Sequence, residues 1–391
     1  MLSFDNTKIA FSYKSDLELS RAHRLFKLVG NPILVRVGKW LTPLAFKLRL
    51  PIKGIIKKTI FGQFCGGETI NDCDSKINTL KAYKVGTILD YSVEGKSSEN
   101  DFDKTCNEIV ATIHKAKGNL AIPFAVFKVT GISRNGLLEK LNHAGNKLTQ
   151  TEIEEFQRVE SRIDRICQEA FESKTPVFID AEESWIQNTI DGLALTMMKK
   201  YNKEWAVVFN TAQMYRVDRL AYLTSLMDVA IKEKFIVGIK LVRGAYMEKE
   251  RARAIDLNYP SPIQPDKKSC DKDFDAALEL MVNNINMFSI CAGTHNESSS
   301  LFLTNLLNQK KIDKDSNSIY FAQLLGMSDH ISFNLAHHGY NVAKYVPYGP
   351  VKEVMPYLLR RADENTSVSG QTSRELRLIS QEIKRRREFT D

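Results

Sequence analysis

Eight short apolar runs recur between residues 85 and 349, and they restrict the fold more than any other feature. They are VGTILDY (85–91), PFAVFKVTG (123–131), PVFIDAEES (176–184), AVVFNTAQ (206–213), IVGIKLVRGAY (236–246), SICAGTH (289–295), SIYFAQLLG (318–326) and VAKYVPYG (342–349). Each is nearly continuous in Val, Ile and Phe rather than alternating, which suits strands covered on both faces of a parallel sheet. Segments of helical period separate them, as at 153–171 and 214–234. Eight such repeats predict an α/β protein: a closed (βα)8 barrel of the TIM type. The alternative is an open doubly wound sheet. That fold normally carries a glycine-rich phosphate turn, and neither GxGxxG nor GxxxxGK[ST] occurs here.

The flanks read differently. Residues 16–28 have helical spacing through Leu17, Leu19, Ala22, Leu25 and Phe26. Residues 32–64 mix bulky apolar side chains with Arg36, Lys39, Lys47, Arg49, Lys53, Lys57 and Lys58, and Pro43 and Pro51 are expected to divide them into short segments. Such a stretch can lie in a membrane interface and attract anionic headgroups, or it can be a helical layer on a barrel with a solvated basic edge. The expected organisation is a helical segment over 1–80, packed on the barrel or facing a membrane. A catalytic barrel over 81–370 and a helical tail over 371–391 follow.

Composition removes several classes. Apolar residues at 43% and charged residues at 26% exclude disordered and fibrous chains. No uninterrupted apolar stretch is long enough for a membrane-spanning helix. A net charge of +8 favours anionic ligands but is too small to imply nucleic acid. Six cysteines without a CxxC spacing read as reduced thiols. The N-terminal residues lack a secretory h-region and are too acidic for a typical transit peptide, so the expected location is cytoplasmic.

Chemistry concentrates where the apolar runs finish: Lys128, Asp180, Gln213, Lys240 with Arg243, His295, Gln323 and Tyr345. In a barrel these ends gather at the face that carries catalysis. PYGPVKEVMPYLLRRADENTS is the most informative segment. A helix is expected from near Val351, bent at Pro356, with Tyr357, Arg360, Arg361 and Glu364 on one stripe. Adjacent guanidinium groups can hold a carboxylate bidentately, and Glu364 can orient one of them or receive an ammonium. An amino acid satisfies all four groups; a solvated ion-pair face is the competing reading. Lys240 and Arg243 bring positive charge beside Gly244 and Ala245, small residues that let a planar or phosphate-bearing ligand approach. Thr294, His295 and Asn296 open a helix suited to an anion. His295 has no companion at HxxH or HExxH spacing, which argues against a metal. DAEES (180–184) could supply a catalytic carboxylate or a helix cap. His337 and His338 are expected on an exposed surface. Residue types alone thus give a barrel enzyme with a cationic mouth for a cofactor phosphate and a small zwitterion, and they do not choose the reaction.

The ordered set LDYSVEG, FKVTG, DAEES, TAQMY, KLVRGAY, GTHN, QLLGM, AKYVPYG and YLLRRADEN resembles the proline dehydrogenase family over residues of about 60 to 370. The resemblance implies noncovalent FAD in a distorted barrel whose eighth helix closes on the substrate. It implies oxidation of L-proline to 1-pyrroline-5-carboxylate by hydride transfer to FAD, with electrons passed to a membrane quinone, as the first step of proline catabolism. No aldehyde dehydrogenase domain follows, so a monofunctional enzyme is expected. A quinone partner would give the 32–64 segment a reason for peripheral contact with the inner membrane face. By the same resemblance Lys128, Asp180 and Lys240 are catalytic, and Lys128, Leu325, Tyr345, Tyr357, Arg360, Arg361 and Glu364 bind substrate. Ala181, Gln213, Arg243, Gly244, Ala245, Thr294, His295, Asn296 and Gln323 contact FAD. Lys240 stands where many relatives carry Arg, which puts a bidentate contact there in doubt. Tyr345 resembles the proline-specific branch; a hydroxyproline dehydrogenase on the same scaffold is the alternative.

Overall fold

The computed structural model describes residues 2–48, 51–93, 97–143, 145–367 and 371–388, leaving out the side chains of 42–47, 363–367 and 371–373. Each apolar run yields one strand: β1 (Val85–Tyr91), β2 (Phe124–Lys128), β3 (Val177–Asp180), β4 (Val208–Gln213), β5 (Val237–Val242), β6 (Phe288–Gly293), β7 (Ile319–Leu324) and β8 (Val342–Tyr348). The strands follow chain order in a closed parallel barrel, so the expected α/β barrel is observed. Lys240 and Tyr345 lie within β5 and β8 rather than at their ends, because those strands extend to Val242 and Tyr348. The chain divides into two compact units, 95–322 and 1–94 with 323–391.

In the 95–322 unit, side chains at alternate positions share a face. Phe124, Phe178, Phe209 and Tyr320 meet there. The Phe124 ring lies 4.4 Å from Phe178, 5.5 Å from Phe209 and 4.8 Å from Tyr320. Helices such as Gln150–Glu172 and Ser184–Tyr201 pack against these strands or each other. The first of them starts at a capping box formed by Thr149 and Glu152. Buried Asn202 pins two strands at their starts. Its Nδ2 donates to the carbonyls of Val208 and Ile236, at 2.8 and 2.9 Å, and its Oδ1 accepts from the amides of Val207 and Val208.

In the other unit, Ser15 and Glu18 form a capping box on the Asp16–Val29 helix, which buries Leu19, Ala22, Phe26 and Val29. These side chains pack with Leu358 of the Met355–Ser367 helix and Leu378 and Ile379 of the Gln371–Glu388 helix. Arg386 stitches the C-terminal helix to the N-terminal segment, donating to the carbonyls of Phe11 and Lys14 and pairing with Asp16 at 2.7 Å.

Two proline expectations need correction. The Pro32–Lys47 helix runs through Pro43 without breaking; the ring forfeits one backbone bond, but its fixed φ is helical and the chain continues. Before the arginine-bearing helix, Pro350 opens a turn, with its carbonyl accepting from the amides of Glu353 and Val354. The helix therefore starts at Met355, not near Val351. Pro356 falls in its first turn, where a missing N–H costs nothing, so it opens the helix instead of bending it.

A buried ionic cluster lies beside β8. Lys344, 0% exposed, donates to the Met327 carbonyl at 2.5 Å and pairs with Asp329 at 2.9 Å. Asp329 also accepts from the Tyr13 hydroxyl at 2.6 Å. Burial opposes ionisation of Asp329, yet Lys344, Lys14 and Tyr13 together hold its carboxyl below the ordinary range. Glu375 accepts from the Ser328 amide, and burial pushes its carboxyl up.

Candidate active site

The register of β2 and β3 places Lys128 opposite Asp180, and those of β4, β5 and β6 align Thr211, Lys240 and Cys291. The Lys240 ammonium pairs with Asp180 across β4, both being well buried, and lies 5.3 Å from the Phe178 ring centre. Neighbouring strands thus bring the three proposed catalytic residues into one region. Between them, Thr211 Oγ1 donates to the Ile179 carbonyl at 2.8 Å.

Past the end of β5, Arg243 is fixed on three sides. Nε donates to Asp271 at 2.7 Å, Nη1 to Thr294 Oγ1 at 2.6 Å and Nη2 to Ser299 Oγ at 2.9 Å, while the guanidinium lies 4.4 Å from the Phe274 ring centre. Thr294 Oγ1 accepts from the Asn296 amide at 3.1 Å, and Asn296 caps the Glu297–Lys310 helix. Gly244 has φ +136, and a Cβ there would come within 2.5 Å of the Tyr215 ring, so only glycine fits without strain. Gly244 and Ala245 are exposed, Ala181 and Gln213 are buried, and His295 is half-buried. A fixed guanidinium, a helix start and a bare stretch of backbone beside it are features that suit a phosphate-bearing, planar cofactor such as FAD.

The 1–94 and 323–391 unit carries the other candidates. Tyr345 and Leu325 are buried and joined by a bond from the Leu325 amide to the Tyr345 carbonyl, 2.8 Å long. Arg361 is only 6% exposed, and its guanidinium carbon lies 5.0 Å from the Tyr357 ring centre, as i and i+4 placement predicts. Arg360 is half-buried. Leu358 and Ala362 are buried and anchor the same helix. Glu364 belongs to this helix, but its side chain lies outside the described residues. Gln323 Oε1 accepts from Ser332 Oγ at 2.8 Å, so its carboxamide meets the Asp329–His337 helix.

The family model for proline dehydrogenase matches residues 73–374. The chain belongs to the proline dehydrogenase family. It is 33% identical to proline dehydrogenase 1, mitochondrial, of Dictyostelium discoideum, across 98% of this chain and 75% of that protein. With proline dehydrogenase 1, mitochondrial, of Caenorhabditis elegans it shares 38% identity over 98% of this chain and 88% of the relative. A hydroxyproline dehydrogenase of Xenopus laevis is 29% identical over 98% of this chain and 90% of its own length. Among solved structures, proline utilization A from Bdellovibrio bacteriovorus, inactivated by N-propargylglycine, matches with a TM-score of 0.72 at 17% identity. The match covers 92% of this chain and 38% of that one, and at this identity it speaks to the barrel fold alone.

Two carboxylates in this family member escaped the sequence reading. In the sequence Glu182 is only one acid of an acidic strand end; in the structure its carboxylate accepts from the Thr130 amide at 3.0 Å and from the Thr130 hydroxyl. Glu250, in the Met247–Asp256 helix, is fully buried and accepts from the Ser184 amide and hydroxyl, each at 2.6 Å. It caps a helix more than sixty residues away in sequence, a pairing that no local pattern reveals. All six cysteines are buried and free, and burial pushes the Cys291 thiol up to about 12. Among the described residues no group of three or more His, Cys, Asp or Glu could hold a metal.

Proposed function

We propose that this chain oxidises L-proline to 1-pyrroline-5-carboxylate, the first step of proline catabolism, with FAD as its resident cofactor and a membrane quinone as the final electron acceptor. The observation that carries this reading is the buried Arg361, set against Tyr357 and next to Arg360 on one well-anchored helix. Paired guanidinium groups fix a carboxylate by direction as well as charge, and holding a reactant in one orientation removes much of a barrier. In this reading Arg360 and Arg361 hold the proline carboxylate, Tyr357 orients Arg361, and Glu364 pairs with an arginine. Leu325 and Tyr345 wall the pyrrolidine ring. Arg243, Thr294, His295 and Asn296 hold the cofactor's anionic part, and Ala181, Gln213, Gly244, Ala245 and Gln323 complete its contacts. FAD, when bound, takes the hydride that leaves proline C5. The proline nitrogen must be neutral then, because its lone pair stabilises the forming iminium. Lys128 and the Asp180–Lys240 pair supply fixed charges around the reacting groups; a paired lysine contributes orientation more than bulk attraction. The test is anaerobic. L-Proline should bleach the visible flavin band of the purified protein, and a band that stays oxidised rejects the reading. With Tyr345 in place, kcat/KM for L-proline should exceed that for hydroxyproline.

The same reading places the protein at a membrane surface. Along the Pro32–Lys47 helix, Ile33, Leu34, Val37, Trp40 and Leu41 fall on one side and are all exposed, Ile33 at 73% and Trp40 at 72%. Residues 19–67 contain ten Lys or Arg and no Asp or Glu. An apolar ridge in an acid-free basic stretch suits an anionic lipid interface. Among the described residues no helix is long and apolar enough to cross a membrane. We therefore take 1–80 as a packed helical segment whose Pro32–Lys47 helix faces the membrane, 81–370 as the catalytic barrel and 371–391 as its tail. Trp40→Glu should abolish most co-sedimentation with anionic vesicles while leaving proline oxidation with a soluble acceptor unchanged. Undiminished co-sedimentation rejects the assignment of this helix.

A further inference from the structure

We propose that Glu182 is a positioning residue that ties together the ends of β2, β3 and β4 and thereby sets the spacing of Lys128, Asp180 and Gln213; the inference rests on reading those three as site residues. The pairing of β2 with β3 ends at Lys128 opposite Asp180. Thr130 and Glu182 lie two residues beyond that last pair, one on each chain segment. The Glu182 carboxylate receives both the Thr130 amide, at 3.0 Å, and the Thr130 hydroxyl, so a side chain extends the register past the point where the backbone ladder stops.

The same residue reaches β4. The β3–β4 pairing covers Val177 with Val208 and Phe178 with Phe209. Beyond it, Gln213 Nε2 donates to the Glu182 carbonyl at 2.7 Å. The Glu182 amide donates to Gln187 Oε1 at 2.8 Å, and Gln187 Nε2 donates to Asp191 Oδ1 at 2.7 Å. Asp191 in turn accepts from Asn210 of β4 at 2.8 Å and from Arg219 at 2.7 Å. Glu182 is 3% exposed, and its amide, carbonyl and carboxylate each go to a different partner. Three strand ends that carry proposed site residues therefore share one node.

Burial pushes the Glu182 carboxyl up to about 7, against the pull of Thr130 and Lys128, while neighbouring Glu183 reinforces the rise. Glu183 is itself paired with Lys249. The sign of the linkage follows. The folded state keeps a proton on Glu182 that the unfolded chain releases in the ordinary carboxylate range. This contribution to stability is therefore present at mildly acidic pH and lost as pH rises toward and through about 7.

Two variants of the full-length holoenzyme test the proposal. Glutamine keeps the shape: its oxygen can accept the Thr130 amide while its NH2 donates to the Thr130 hydroxyl oxygen. Alanine removes both bonds. Glu182→Ala should lower kcat/KM for L-proline by roughly 10- to 100-fold, the scale of a small misplacement of reacting groups. Glu182→Gln should recover most of that loss. Melting of the wild type should fall with pH across the window above, and Glu182→Gln should lack that slope. A Glu182→Ala protein with wild-type kcat and KM overturns the proposal, as does a Glu182→Gln protein no better than Glu182→Ala. Wild-type flavin that proline leaves oxidised rejects the functional reading instead. The melting slope, compared between wild type and Glu182→Gln, then still decides whether the buried tie exists.

Discussion

Arg361→Met raises the KM for L-proline by two to three orders of magnitude while the flavin stays bound. Arg361 is buried against Tyr357, and a buried guanidinium on a helix anchored by Leu358 has little freedom to be replaced by a neighbour. Truncating one partner of a buried, hydrogen-bonded charge pair costs about 2–5 kcal/mol, which spans roughly thirtyfold to several-thousand-fold in binding. Arg361→Lys should fall between, since a lysine keeps the charge and loses the planar fork. Steady-state kinetics with the flavin spectrum recorded in parallel makes the measurement. A wild-type KM in the methionine variant removes Arg361 from the substrate site.

Lys344→Met destabilises the protein by about 3–5 kcal/mol, the cost of leaving a buried charge without its partner. Lys344 is fully buried, pairs with Asp329 and donates to the Leu324 and Met327 carbonyls, so its loss leaves two acceptors unmet and a buried anion held only by the Tyr13 hydroxyl and by Lys14 at 3.8 Å. Asp329→Asn in the same chain should restore part of the loss, and the double-mutant cycle measures the coupling. The Asp329 carboxyl is held below its ordinary range, so its contribution is present above the ordinary carboxylate pKa and lost as pH falls through the depressed folded value. Strand alternation turns Lys344 away from the face that carries Tyr345, so KM in the folded protein should stay near wild type. Chemical denaturation that leaves the variant as stable as wild type disproves the role given to this pair.

The barrel was legible because strands covered on both sides must be apolar almost throughout, and each of the eight runs declares itself locally. Helix spacing likewise puts Tyr357 and Arg361 together, since they are four residues apart on one helix. Boundaries were less legible. Pro356 reads as a kink when the helix is started four residues early, and as an ordinary first-turn proline when it begins at Met355. The remaining gaps are long-range. Glu182 with Thr130, Glu250 with Ser184 and Lys344 with Asp329 are pairings set by tertiary structure, and none leaves a period or spacing behind. The roles of Tyr345 and Gln213 came from family likeness, because a tyrosine or glutamine in a strand has many uses.

The bonds from Arg386 to Phe11, Lys14 and Asp16, with β8 paired along β1, join residues 1–94 to 323–391. During synthesis the early members of this half must therefore wait, β1 for β8, which ends at Tyr348, and Leu19 and Phe26 for Leu378 and Ile379 of the C-terminal helix. Over that interval the nascent chain presents sticky surface to the cell, and its yield should depend on chaperone supply more than on the stability of the finished protein.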